Sequence, residues 1–115
     1  KRLIRPFSTD QKETPSPQIL PADATDAFEG NRYALKNILD GSFADEQWES
    51  AGNELETLLT MNLDPRLEAR VMFYIGQTKY FIGNYRESFL SFLMARDGYY
   101  DDVNPWIDRL FAKLN

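Results

Sequence analysis

Residues 76–88 read GQTKYFIGNYRES, and the meaning of their glycines decides the fold. Apolar and aromatic residues recur here at helical spacing, yet Gly76 opens the stretch and the pair Gly83-Asn84 cuts it. A glycine without Cβ lets a neighbouring helix approach closely, and it also adopts the left-handed backbone that ends a helix. Gly76 is read as such a contact position and Gly83 as such a terminus, with Tyr85 packing back over the turn. Ser88 and Ala95 are small where the following helix would meet its neighbours. The stretch therefore predicts two helices meeting in a tight antiparallel hairpin.

Working outward, Val71, Met72, Phe73, Tyr74 and Ile75 are consecutive apolar or aromatic residues. A surface helix shows one apolar stripe, so a helix nonpolar around most of its circumference is expected at the centre, covered on two or more sides. It should run from Pro65, with Asp64 as cap, to about Ile82. The next helix is expected over Tyr85–Ala95, with Phe89, Phe92, Leu93 and Ala95 as its apolar side, stopping at DGYYDD. A last helix is expected in NPWIDRLFAKLN, capped by Asn104 with Pro105 at its first position and Trp106, Leu110 and Leu114 spaced by four. Toward the N-terminus, Thr25 can cap a helix to about Leu39 that gathers Phe28, Leu35, Ile38 and Leu39, with Asp40-Gly41 as its stop. Another begins near Ala44, where Trp48, Ala51, Leu55, Leu58 and Leu59 repeat at helical spacing. Five helices joined by short turns, with no alternating Val/Ile/Thr-rich segment, give an all-α fold built of successive helical hairpins.

The domain begins at Asp23 and fills 23–115, whereas 1–22 holds four of the six prolines and no helical period. That segment reads as a Pro-rich extended tail or linker. It is either a solvated spacer or a strap docked on the body through Phe7, Ile19 and Leu20; in the second case it would occupy the surface that a partner uses. The chain opens on Lys1 rather than Met, as a processed or excised piece would. A Pro-rich, slightly basic tether favours a periplasmic or membrane-tethered setting, in a bacterial envelope, over a cytoplasmic one.

The composition closes off most chemistry. The 115 residues include neither Cys nor His, which removes thiol nucleophiles, imidazole bases and the usual zinc ligands. Net charge is −5, and residues 23–115 carry nine basic against sixteen acidic groups. An acidic body repels phosphate backbones, so nucleic acid is a poor partner and a basic one a better match. No apolar run approaches the ~20 residues that a membrane-spanning helix needs. Asp45, Glu46 and Glu49 read as first-turn acids. Asp97, Asp101 and Asp102 lack the spacing of a calcium loop. No phosphate-binding loop or hydrolase motif is present; neither a metal nor a cofactor is expected, and the chain is read as no enzyme.

Across 69–102 the residues resemble a tetratricopeptide repeat, a helix-turn-helix unit of about 34 residues. Met72 stands at the family's bulky position, Ile75-Gly76 at its Leu-Gly pair and Gly83-Asn84-Tyr85 at its turn. Ser88, Phe92 and Ala95 stand at the small, aromatic and second small positions, and Trp106 falls 34 residues after Met72. Trp48, Ala51, Leu55 and Leu58 form a degenerate earlier half-repeat, 37 residues separating Trp48 from Tyr85. With Arg109-Leu110 in place of Leu-Gly, the last helix reads as a cap. The resemblance implies a right-handed superhelix of about five helices, whose first helix in each hairpin lines a concave groove holding an extended or helical peptide. Mapped residue by residue, the groove side is Arg70, Phe73, Gln77 and Tyr80, with Tyr74 and Phe81 beside them. Some units grip a C-terminal carboxylate with Lys and Asn where Phe73 and Gln77 stand, so an apolar or aromatic ligand is the better match here. Phe73, Tyr74 and Phe81 are equally readable as core. Arg70, Gln77 and Tyr80 should then be exchangeable at little cost in stability. The function expected is non-catalytic binding of a peptide or partner subunit, as adaptor or scaffold; the alternative is a structural subunit that self-associates, as a homo-oligomer, through the same aromatics.

Overall fold

The computed structural model describes residues 15–24 and 30–114. Among them all regular structure is helical: α1 spans Gly30–Ile38, α2 Trp48–Leu59, α3 Pro65–Ile82, α4 Tyr85–Ala95 and α5 Tyr100–Leu114. A π-helical turn, Leu39–Phe43, continues α1, and a 3-10 turn, Pro21–Asp23, precedes it. Thr25, Phe28 and Phe7 lie outside the described residues. No described helix is long and apolar enough to cross a membrane.

The ends of α3 follow from local chemistry. The Asp64 carboxylate accepts from the Leu67 N–H at 2.9 Å and Pro65 takes the first helical position, satisfying one orphan donor and removing another. At the other end Gly83 sits at φ 92°. The Asn84 N–H then reaches the Lys79 carbonyl and the Gly83 N–H that of Tyr80, the paired closure of a left-handed C-terminus.

Residues 70–78 of α3 are all buried, because α2 and α4 flank the helix. Its contacts to α4 run in opposite directions along the two chains: Phe73 meets Phe92, the Ser88 hydroxyl donates to the Gly76 carbonyl, and Tyr80 meets Tyr85. Trp48 on Phe81 and Glu56 near Lys79 give the same sense for α2, and Phe92 on Trp106 with Phe89 near Phe111 give it for α5 against α4. The pairs α2/α3, α3/α4 and α4/α5 are thus antiparallel. At Gly76 the helices meet so closely that a Cβ would lie 2.8 Å from the Phe92 ring.

Three sequence expectations are corrected. α2 begins at Trp48, not near Ala44; buried Phe43 packs edge-on against Trp48 and Tyr74, and the chain must turn at Ala44–Gln47, with Glu46 at φ 58°, to bring it inward. α5 begins at Tyr100, so Pro105 stands inside it rather than at its start. Burying Val103 against the core and placing Asp101 and Asp102 in the first turn, where acids complement the helix dipole, outweigh the one backbone bond that Pro105 forgoes. Finally, Leu93 is 39% exposed. The buried side of α4 is instead Ser88, Ser91, Phe92 and Ala95, where small Ser88, Ser91 and Ala95 flank the Phe92 ring that packs on Gly76 of α3.

Candidate functional site

The third side of α3 is covered by the chain's own residues 15–24. Pro15, Pro17 and Pro21 punctuate this strap. Each fixes φ and lowers the entropy lost on holding an extended segment. The strap runs antiparallel to α3, along the line of Gln77, Tyr74 and Arg70, which share one helical face.

Gln77 binds the strap's backbone twice. The Gln18 N–H donates to its Oε1 at 2.8 Å, and its Nε2 donates to the Gln18 carbonyl at 2.9 Å. One side-chain amide thereby copies the donor-acceptor pair that a neighbouring β-strand would offer. Two residues on, the Leu20 N–H donates to the Tyr74 hydroxyl at 2.9 Å, while the Leu20 side chain is 1% exposed. Ile19, alternating to the other side, lines a cavity of about 390 Å³ between the strap and α1, together with Lys36, Leu39 and Phe43.

The strap ends in a buried ion pair. Arg70 Nε donates to Asp23 Oδ1 at 3.1 Å and the Tyr74 hydroxyl to Asp23 Oδ2 at 2.7 Å, with the Asp23 and Arg70 side chains 5% and 9% exposed. Lys36 of α1 reaches the Asp23 carbonyl at 3.4 Å. Burial, reinforced by the Asp23 carboxylate, pushes the Tyr74 phenol well above its ordinary range, so it stays a donor. The other end of the strap is held by α5: Gln18 Nε2 donates to Asp102 Oδ1 at 3.0 Å and Trp106 Nε1 to Gln18 Oε1 at 3.1 Å.

Of the residues expected at the groove, the strap brings Arg70, Tyr74 and Gln77 together. Phe73 is fully buried against Tyr74 and Phe92. Phe81 stacks on Trp48 at 4.6 Å, half-buried. Tyr80 is buried beside Tyr85 and Trp106; burial raises its phenol, and its hydroxyl has no hydrogen-bond partner among the described residues. Phe73, Tyr74 and Tyr80 are thus buried within the chain, out of reach of a second copy while the covering segment stays. Arg70, Gln77 and Tyr80 are not exchangeable surface residues either, being 7%, 0% and 6% exposed: the strap closes over Arg70 and Gln77, and Phe81, Tyr85 and Trp106 cover Tyr80.

Four residues of this site went unsingled by sequence: Gln18, Asp23, Asp102 and Trp106 as a strap ligand. Trp106 and Asp102 lie on α5, the second helix after α3, so the resemblance that put Arg70 and Gln77 on the groove side would have extended to them. Nothing local marks Gln18. Among the described residues no group of three acidic side chains is placed to hold a metal ion. Comparison with protein-family models, characterised proteins and solved structures finds no match to this chain.

Proposed function

We propose that this chain is a non-catalytic protein-interaction module of tetratricopeptide-like construction, which engages an extended segment of a partner along the face of α3. One observation carries the reading. The hydrogen bonds that Gln18, Leu20 and Asp23 make to helices go to α1, α3 and α5, the alternate helices that would line the concave side of stacked hairpins. The close α3–α4 approach at Gly76 and the left-handed Gly83 support the same construction. A face that grips main-chain N–H and C=O groups through a side-chain amide anchors an extended backbone whatever its side chain at that position, which is the chemistry of extended-peptide recognition.

The test is selection of a displayed random-peptide library on the Asp23→Asn chain, whose strap is weakened while its shape is kept, with a Gln77→Leu chain as counter-target. Clones that need Gln77 are expected. A selection that yields none, with both chains folded by circular dichroism, refutes the proposal.

A further inference from the structure

The strap is more than a cover: its contacts specify which peptide the face accepts. Gln18 is held at both ends of its amide, its Oε1 taking the Trp106 indole N–H and its Nε2 donating to Asp102. Only a side chain with an acceptor and a donor at that reach satisfies both. Glu would set a carboxylate against Asp102, and Lys would leave the indole without an acceptor. A site whose buried polar groups would be left unpaired discriminates strongly. Two residues on, Leu20 fills an apolar position at 1% exposure. Three further, the Asp23 carboxylate meets a guanidinium and a phenol already buried for it. Of the residues between, Ile19 is 40% exposed, and Pro21 and Ala22 are exposed too.

We propose that α3 and α5 form a reader of extended segments of the pattern Gln-x-Leu-x-x-Asp, that a partner protein supplies such a segment, and that the chain's own residues 18–23 are the competing ligand that holds the site closed. This rests on the reading of the module as a peptide binder and adds to it the ligand's chemistry and the competition. A pattern that satisfies Trp106, Asp102, Tyr74 and Arg70 at once is available to a partner only in the geometry the strap uses. Binding and strap release are therefore one event.

A fluorescent peptide of residues 15–24 (PSPQILPADA) is titrated by anisotropy against the full wild-type chain and the full chain carrying Leu20→Ala and Asp23→Ala. Binding at least tenfold tighter to the variant is expected, lost when Gln77→Leu is added. Peptides with Glu for Gln18, Ala for Leu20 or Asn for Asp23 should each bind tenfold or more weakly. Equal binding to wild type and variant, none to a folded variant, or indifference to these peptide changes overturns the proposal. Should the double variant unfold, the isosteric Asp23→Asn chain carries the same comparison, and the peptide should raise its melting temperature but not that of wild type, as a ligand of the native state does. A wild-type dimer that Asp23→Asn dissociates would assign the groove to a second copy's strap and would equally overturn it. Gln77-dependent library ligands lacking the pattern would leave the peptide-binding reading standing and remove only this one.

Discussion

Replacing Asp23 by Ala takes one partner from a buried ion pair and leaves the other in place. The carboxylate accepts from Arg70 at 3.1 Å and from Tyr74 at 2.7 Å, and Arg70 Nη2 has no partner among the described residues. Stranding a buried charge in this way costs about 3–5 kcal/mol. The strap can limit that loss by detaching so that Arg70 hydrates, but then Leu20 is bared at about 1.5–3 kcal/mol, and each hydrogen bond surrendered adds about 0.5–1.5 kcal/mol. Both routes lead to a loss of several kcal/mol, and urea unfolding followed by circular dichroism tells them apart. A lower midpoint at unchanged slope means the strap stays docked; a smaller slope means that the variant's native state already exposes surface. Arg70→Met should cost a similar amount. The double variant should recover much of it, a coupling of about 2–3 kcal/mol, because no unpaired charge remains. A loss under about 1 kcal/mol for Asp23→Ala, with the two substitutions simply additive, would refute the claim that this pair anchors the strap.

Gly76→Leu should lower stability by about 1–3 kcal/mol or more by overpacking, since its Cβ alone would lie 2.8 Å from the Phe92 ring; a variant that melts with the parent would refute the contact. Phe92→Ala should cost about 3–5 kcal/mol and Leu93→Ala under about 1 kcal/mol, because Phe92 is 0% and Leu93 39% exposed; equal losses would overturn the assignment of α4's buried side. Burial raises the Tyr74 phenol above its ordinary value of 10.0, so its contribution is fully present below that value and is lost as pH rises further, when the unfolded chain ionises and the folded one does not. Tyr74→Phe should flatten the decline in urea midpoint above pH 10.0, with Tyr80 and Lys79, also raised, keeping a residual slope; an unchanged profile would count against a buried, protonated Tyr74.

What the sequence made legible was local or periodic. The cap at Asp64, the stop at Gly83 and the contact at Gly76 each depend on residues within one hairpin, and the run Val71–Ile75 announced a helix covered on several sides. The same logic put Arg70 and Gln77 on the groove face. It failed where partners are remote: Gln18 is bonded to Gln77, Asp102 and Trp106 at separations of 59, 84 and 88 residues, and no periodicity carries that information. Of the aromatics, Tyr74 faces the strap and Phe73 faces Phe92 of α4. Phe73 and Tyr74 belong to a helix whose neighbours close on it from either side, so helical spacing could not say which aromatics face a groove and which face α2 or α4. The polar residues at 70 and 77 mark where the strap docks, because a buried polar side chain must have a partner and here the partner is the strap.

Under the proposed peptide-binding function, tethering decides what a partner must do. The strap is joined to the helices it binds, so it competes at an effective concentration of about the millimolar range set by its short connection. A free segment with identical contacts reaches half-occupancy only near that concentration, far above what most cellular proteins attain. A productive partner must therefore add contacts that the strap lacks, or be held nearby by a second site. The strap leaves room for the first: the cavity beside Ile19, bordered by Lys36 and Phe43, is unfilled by the chain's own isoleucine. A residue larger than Ile at that position, paired with Gln and Leu on either side, would gain apolar contact unavailable to the strap at about 25 cal/mol per Å² covered. An Ile19→Phe version of the 15–24 peptide is accordingly expected to compete better than the native one. If it binds no better, the advantage that lets a partner displace the strap lies outside this groove.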